Sequence, residues 1–435
     1  MKAFWNGPFF PDQSRLVPVQ QWTMIGLLGC LALLNGCASD DPVIKAETNE
    51  FVAISKSIKT PVLIHYMPWF ETPASNKGRW GIHWTMANRD PEKIVDASTG
   101  RREIASHFYP LIGPYASSDP DVLEYQVLLM KIAGIDGVVV DWYGTSSHAD
   151  YPQLNNNVEA LFNLLPTAGL KFAFVYEDQS VKHALDAGVI SVGLDQGKAD
   201  MRWMGSYFKS PDYIRLGSAG QTIGQGRPLL MTFGPQYFQT PVQWQNILGE
   251  LPEAPDFLTL WYESGEVGNS ATGEFAWIYQ DARPYTSHLS DFYSRAAPGG
   301  TRMGIAFPGF RDFYSEGGWG NDLFFIDHKE TATFEGTLHA ALDAGGPVQL
   351  ATWNDYGEGT MLEPTVEFGY HFLEVLQKTL GVEATPAEFL LAEKLFGLRR
   401  KYATDQAIQG QLNKAYRLMV QLKWQEARDL MASVE

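Results

Sequence analysis

Cysteine is almost absent from this chain. Only two occur in 435 residues, Cys30 and Cys37, both close to the N-terminus. After residue 37, disulfides, thiolate metal sites and cysteine nucleophiles are therefore excluded. Histidine is sparse too: the nine present are scattered, and no H-x-x-x-H pair suggests a helical metal site. Positive charge is short, with 33 Lys and Arg against 50 Asp and Glu and a formal net charge of -17. Such a surface repels phosphate backbones, so nucleic acid is not an expected partner. Long apolar runs are missing. The longest N-terminal one, Met24 to Leu34, is too short to cross a hydrocarbon core of about 30 Å. No repeat of fixed period occurs.

That apolar run has the length of a signal-peptide core, with Lys2 and Arg15 before it. It ends Leu34-Asn35-Gly36-Cys37, the form of a bacterial lipobox in which Cys37 is lipidated. Leu27-Leu28-Gly29-Cys30 also fits but lies inside the run; a plain signal peptide cut elsewhere is the alternative. Residues 1–37 are thus expected to be a lipoprotein signal and residues 38–57 a polar tether. Ala38, where Asp would signal inner-membrane retention, favours an outer-membrane lipoprotein of a bacterial envelope, facing periplasm or cell surface. Membrane contact is expected through the lipid alone.

What is abundant is aromatic: 13% of the chain, with 13 Trp and 19 Tyr. Core burial and a sugar cleft explain this equally well, since aromatic rings fill cores and also stack on the C–H faces of sugars.

Beyond the tether, apolar runs alternate with helical patterns. The strand candidates are Pro61 to Tyr66, Gly137 to Asp141, Phe172 to Tyr176, Leu229 to Phe233, Phe257 to Trp261, Phe275 to Tyr279, Met303 to Phe307 and Val348 to Trp353. A helix over Asp119 to Ala133 has an N-cap Asp, a first-turn Pro120 and a terminating Gly134. Eight such units predict an α/β (β/α)8 TIM barrel over residues 58–383, with a doubly wound open sheet as the rival. Pro386 to Arg399 and Asp405 to Val434 are helical without strands. They predict a C-terminal helical extension over residues 384–435.

In a barrel the chemistry gathers at the C-terminal ends of the strands. There this sequence places His65-Tyr66 with Trp69, Asp141-Trp142-Tyr143, Tyr176-Glu177, Trp261, Trp277 with Tyr279, and Trp353-Asn354-Asp355-Tyr356-Gly357-Glu358. Charged groups directly after buried strands are costly unless they have a task. Asp355 and Glu358 form the best carboxylate pair. Glycosidic cleavage needs one carboxyl to protonate the leaving oxygen and another to activate water or attack carbon. The flanking Gly357 and Gly359 permit tight turns.

Trp353 to Glu358 closely resembles the W-N-D-Y-G-E signature of glycoside hydrolase family 71, the fungal α-1,3-glucanases. Its continuation through Gly359-Thr360-Met361-Leu362-Glu363 resembles the N-E-W-H-E-G-T-x-I-E signature of family 99, the endo-α-mannosidases. Tyr109 to Tyr115 with Ser118-Asp119-Pro120, Ala133 to Tyr143, and the His83-Trp84 pair resemble further family 99 segments. The resemblance spans roughly residues 60 to 380. It implies a barrel and hydrolysis of α-linked glycans without a catalytic metal or cofactor. It aligns Asp355 with the first catalytic carboxylate, Glu358 with the general acid or acid/base, and Glu177 with a further carboxylate near the sugar. Family 99 has Glu where this chain has Asp355 and is thought to retain configuration, whereas family 71 has Asp and inverts. Stereochemistry therefore stays open.

The expectation is a glycosidase acting on an α-linked polysaccharide, mannan or glucan, with Asp355 as base and Glu358 as acid. The expected sugar contacts are His65, Tyr66, His83, Trp84, Asp141, Trp142, Tyr143, Tyr176, Glu177, Trp261, Asn354, Tyr356 and Glu363. Two rivals are a glycan-binding lipoprotein on an inactive barrel and a same-fold hydrolase of another sugar, such as xylan or arabinan.

Overall fold

Eight short parallel strands carry the architecture. They are β1 Val62–Tyr66, β2 Gly137–Trp142, β3 Lys171–Tyr176, β4 Arg227–Thr232, β5 Asp256–Leu260, β6 Gly273–Phe275, β7 Thr301–Ala306 and β8 Val348–Leu350. In the computed structural model, which describes residues 50–217 and 222–435, their order is β3-β2-β1-β8-β7-β6-β5-β4. Pairing of β3 with β4, Phe174 opposite Leu230, closes the sheet. The fold is a (β/α)8 barrel, and closure rules out the open-sheet rival. The strands read as continuous apolar runs because barrel packing buries both faces; every residue of β1, β2 and β5 is buried.

The helices between strands are α1 Pro120–Ile132, α2 Tyr151–Leu164, α3 Gln179–Asp186, α4 Gly193–Gly205, α5 Pro241–Leu248, α6 Tyr285–Ser294, α7 Ala332–Ala344 and α8 His371–Leu380. The expected cap of α1 forms: Asp119 accepts from the backbone N–H groups of Asp121 and Val122. Gly134 follows at φ +83°, a left-handed conformation suited to glycine. Between β5 and β6 the described residues form only a short α-helical turn, Ser264–Val267, and a 3-10 turn, Gly268–Ser270. The sixth strand is earlier and shorter than the apolar run Phe275 to Tyr279 suggested, so Trp277 lies beyond its end.

The C-terminal region forms three helices: α9 Ala387–Lys401, α10 Gln406–Val420 and α11 Trp424–Ala432. The single helix expected over Asp405 to Val434 is broken at Leu422, whose φ is +60°. Phe389, Leu395 and Met419 belong to the same apolar core as the barrel. Arg399 of α9 clamps Glu124 of α1 through two hydrogen bonds of 2.9 and 2.8 Å.

The last residues of the expected tether are packed. The Val52 N–H donates to Val420 O at 3.0 Å. Lys56, 8% exposed, reaches Asp136 at 2.5 Å and Gly134 O at 3.1 Å, just ahead of β2. This segment therefore docks at the end of the barrel where strands begin. Cys37 and the lipobox lie outside the described residues. Among the described residues no helix is long and apolar enough to cross a membrane.

Candidate active site

At the opposite end, where strands finish, the loop after β8 folds back on itself. The Thr352 hydroxyl accepts from the Asp355 N–H at 2.8 Å, and Asp355 Oδ1 accepts from the Glu358 N–H at 3.0 Å. Gly359 turns the chain at φ +66°; a Cβ there would meet Arg311 O and a Phe108 ring carbon, each at 2.8 Å. The segment after β7 straps this loop from outside, with Arg311 N–H on Glu358 O and Phe313 N–H on Gly357 O, both 2.8 Å. The Tyr314 hydroxyl then donates to Glu358 Oε1 at 3.0 Å. Local hydrogen bonds thus aim both carboxyls into the barrel mouth.

The mouth is an open cleft, with about 840 Å³ of empty space when the adjoining solvent is included. Asp141, Glu177, Asp355 and Glu358 line it, with His65, His83 and His183. Aromatic surface comes from Trp69, Tyr143, Phe233, Trp277, Tyr314 and Trp319; Gln179 and Gln236 add amides. Trp69 and His83 stack with ring centroids 4.2 Å apart and planes 5° from parallel. Among the described residues no Lys or Arg lines the cleft.

Burial dominates the electrostatics. It pushes Asp355 up to about 7, against the pull of the Glu358 and Gly357 N–H groups; the charge of Asp312 adds to the rise. Burial raises Glu358 well above the usual carboxylate range, and the neighbouring charge of Asp355 raises it further. Asp141 is raised by burial and then by Asp355, and Glu177 by burial and then by Asp141. Burial lowers His65 to about 4 and His83 to about 3, so both are neutral near pH 7.

Of the residues expected from sequence, the cleft collects His65, His83, Asp141, Tyr143, Glu177, Asp355 and Glu358. The others stand behind its wall and do not line it. The strand pleat decides Tyr66, Trp142 and Tyr176, because successive side chains leave on opposite faces. His65 points in, while Tyr66 donates to Gln126 Oε1 at 2.8 Å. Asp141 points in, while Trp142 turns out to stack on Trp203 and donate to Asn155. Tyr176 donates to Asp200 at 2.7 Å, and Trp261 packs on Phe292. Trp84 donates to Tyr115 O at 2.8 Å. Asn354 pairs with both backbone groups of Met67, through a 2.9 Å N–H bond and a 3.0 Å bond to its carbonyl. Tyr356 donates to Glu363, which is 1% exposed and also takes hydrogen bonds from Tyr115 and Gln126.

Sequence reasoning passed over Gln179, His183, Phe233, Gln236, Tyr314 and Trp319. Phe233 ends the fourth apolar run, so a search for strand-end aromatics had the signal. Tyr314 opens a short helix, Tyr314–Gly317, with Trp319 just after it, in a connection with no local motif. Among the described residues, no group of three or more His, Cys, Asp or Glu side chains is arranged to hold a metal ion.

Residues 57–193 match the model of glycosyl hydrolase family 99. Over that stretch, about a third of its length, the chain is similar to family 99. A glycoprotein endo-alpha-1,2-mannosidase of Rattus norvegicus is 30% identical over 207 residues, 42% of this chain and 38% of that protein. An uncharacterized protein, WxcX, of Xanthomonas campestris is 21% identical over 382 residues, 79% of this chain and 52% of the other. The chain spans about a third of the length of the glycoprotein endo-alpha-1,2-mannosidase-like protein of Danio rerio, at 27% identity over 150 residues, or 30% of this chain. The solved GH99 endo-alpha-mannosidase of Bacteroides thetaiotaomicron superposes with a TM-score of 0.51 at 18% identity, covering 76% of this chain and 98% of that one. It shares the barrel.

Proposed function

We propose that this family 71/99-like barrel hydrolyses an α-linked glycan of the mannan or glucan class, with Glu358 as general acid and Asp355 as general base. The observation that carries the reading is the Asp355–Glu358 turn: two desolvated carboxyls, one hydrogen-bonded to the other's backbone, facing one cleft. Glu358, held protonated by burial, gives its proton to the departing glycosidic oxygen. Asp355, whose two backbone donors favour its ionised form against the push of burial, takes a proton from the incoming nucleophile. That nucleophile is water if configuration inverts and the sugar 2-hydroxyl if it is retained. The mannosidase names of the relatives in rat and zebrafish favour an α-mannan.

The test is product analysis by NMR on a panel of α-mannans and α-glucans, using wild type, Asp355→Asn and Glu358→Gln. Wild type should release reducing ends, and each variant should lose about two orders of magnitude or more. Hydrolysis unchanged in either variant removes that residue from the mechanism. Binding without any reducing-end release by wild type would leave a lectin-like barrel instead.

The proposed anchor at Cys37 fits this arrangement, since Lys56 docks at the end of the barrel opposite the cleft. An anchor there would hold the cleft mouth away from the membrane. Labelled palmitate should enter wild type and not Cys37→Ala, and soluble release of the wild-type protein would discard the anchor.

A further inference from the structure

A glycosidic bond has two sides, and the departing sugar is the one that takes the acid's proton. Oε1 of Glu358 accepts from the Tyr314 hydroxyl at 3.0 Å, so the proton that Glu358 gives rides on Oε2. Tyr314 belongs to the connection after β7, the strand that borders β8 in the barrel. A sugar leaving with that proton lies beside Tyr314 and the residues that pack on it.

Trp319 stands next along this connection. Its N–H donates to Tyr314 O at 2.8 Å, and its ring lies within 20° of the Tyr314 plane, centroids 6.5 Å apart. His83 meets it nearly at right angles, centroids 5.9 Å apart. Gly317 O accepts from the Ala87 N–H at 2.9 Å and Glu316 O from the Asn88 amide at 2.8 Å, which pins the connection to the loop after β1. The indole is thus fixed before a ligand arrives, and that lowers the ordering cost of binding. It is also open. The other two indoles of the cleft are already packed: Trp69 is buried with a face stacked on His83, and Trp277 is buried between His65 and Phe233. Trp319 keeps part of its surface exposed. A rigid, part-open indole beside the acid suits the apolar C–H face of a pyranose.

We infer that Trp319 is the platform for the sugar on the leaving-group side of the scissile bond, so that a bound glycan runs with its reducing end over the connection after β7. The inference rests on Glu358 being the acid of the proposed hydrolysis, but it concerns the direction of the bound chain and is read without turnover.

Direction is read by paramagnetic broadening of tryptophan indole N–H signals in the full chain carrying Glu358→Gln, which keeps the sugar whole. The probes are α-1,2-linked mannotetraose and α-1,3-linked glucotetraose, each bearing a nitroxide at the reducing end or, separately, at the non-reducing end. The Trp319 signal is assigned by its loss in Trp319→Phe. The reducing-end label should broaden it more strongly than the other label. Trp319→Ala should weaken binding of the unlabelled tetrasaccharide about ten-fold, and Trp319→Phe, which keeps an apolar ring, should restore most of it. Equal or stronger broadening by the non-reducing-end label overturns the inference, as does wild-type affinity in Trp319→Ala or binding of neither tetrasaccharide. Reducing-end release by wild type is measured alongside. Its absence, with Trp319 broadened as expected, sinks the glycosidase reading and keeps the direction; its presence, with the broadening reversed, does the opposite. If Trp319→Ala fails to fold by circular dichroism, the affinity of Trp319→Phe and the label pattern decide.

Discussion

The hydroxyl of Tyr314 donates to Oε1 of Glu358 at 3.0 Å, tying the loop after β7 to the acid on the loop after β8. A hydrogen bond to the charged form of a carboxyl favours ionisation, so Tyr314 moderates the strong upward push that burial exerts on Glu358. Replacing it by Phe removes that moderation. Tyr314→Phe should shift the alkaline limb of the pH–rate profile to higher pH and cost about ten-fold in kcat/KM. A profile superimposable on wild type would show that the bond does not bear on the acid.

The wild-type profile follows from the pair itself. Asp355 acts as base only when ionised, and its value of about 7 puts the acid limb near neutrality. Glu358 acts only when protonated, and burial shifts the alkaline limb that it sets upward from the ordinary carboxylate range. Initial rates from pH 4 to 10 should rise through about 7. An optimum near pH 4.5, where ordinary carboxylates titrate, would contradict the assignment.

Stability should run the other way with pH. Burial raises Asp355 and Glu363 to about 7 and Asp150 and Asp178 to about 6. A carboxyl raised in the folded state contributes stability fully below its unfolded value, and loses that contribution as pH climbs through the folded value. The Tm should therefore fall between pH 5 and pH 8 in a fluorescence melt. A Tm that rises over this window would mean these carboxyls are not desolvated.

Behind the catalytic loop, Glu363 accepts from Tyr115 at 2.7 Å, Tyr356 at 2.9 Å and Gln126 at 2.6 Å. All three partners donate, so Glu363→Gln sets an amide N–H against a donor. We expect about 1–3 kcal/mol of lost stability, read by denaturant unfolding, together with reduced kcat because Asn354 and Tyr356 hang on this network. Unchanged stability would show that the network tolerates the amide.

Arg399 and Glu124 join the C-terminal helices to α1, and Arg399 is 6% exposed. Removing one partner of a buried pair leaves the other uncompensated, at a cost of about 3–5 kcal/mol. Arg399→Ala should lower the Tm by several degrees with the cleft chemistry intact. A loss under about 1 kcal/mol would mean α9 is held by its apolar face alone.

All eight strands were legible because barrel strands are buried on both faces and so appear as short apolar runs. Trp277 shows the limit: its apolar run continued past the point where β6 stops pairing, since hydrophobicity marks burial and not hydrogen bonding. The break at Leu422 was illegible for a related reason, as the helical pattern resumes at Trp424 after only three residues, one of them left-handed.

Sequence alone determined the eight-unit barrel, the end at which side chains gather, and the loop that bears Asp355 and Glu358. These follow from chain-local rules of period, capping and strand-end position. Tertiary structure decided which neighbours face the cleft. It turned His65 and Asp141 inward and Tyr66 and Trp142 outward, sent Glu363 behind the wall, and brought Tyr314 and Trp319 in from a distant loop. Closing the barrel sets the inward face of each strand and which loops meet, and no local pattern encodes either.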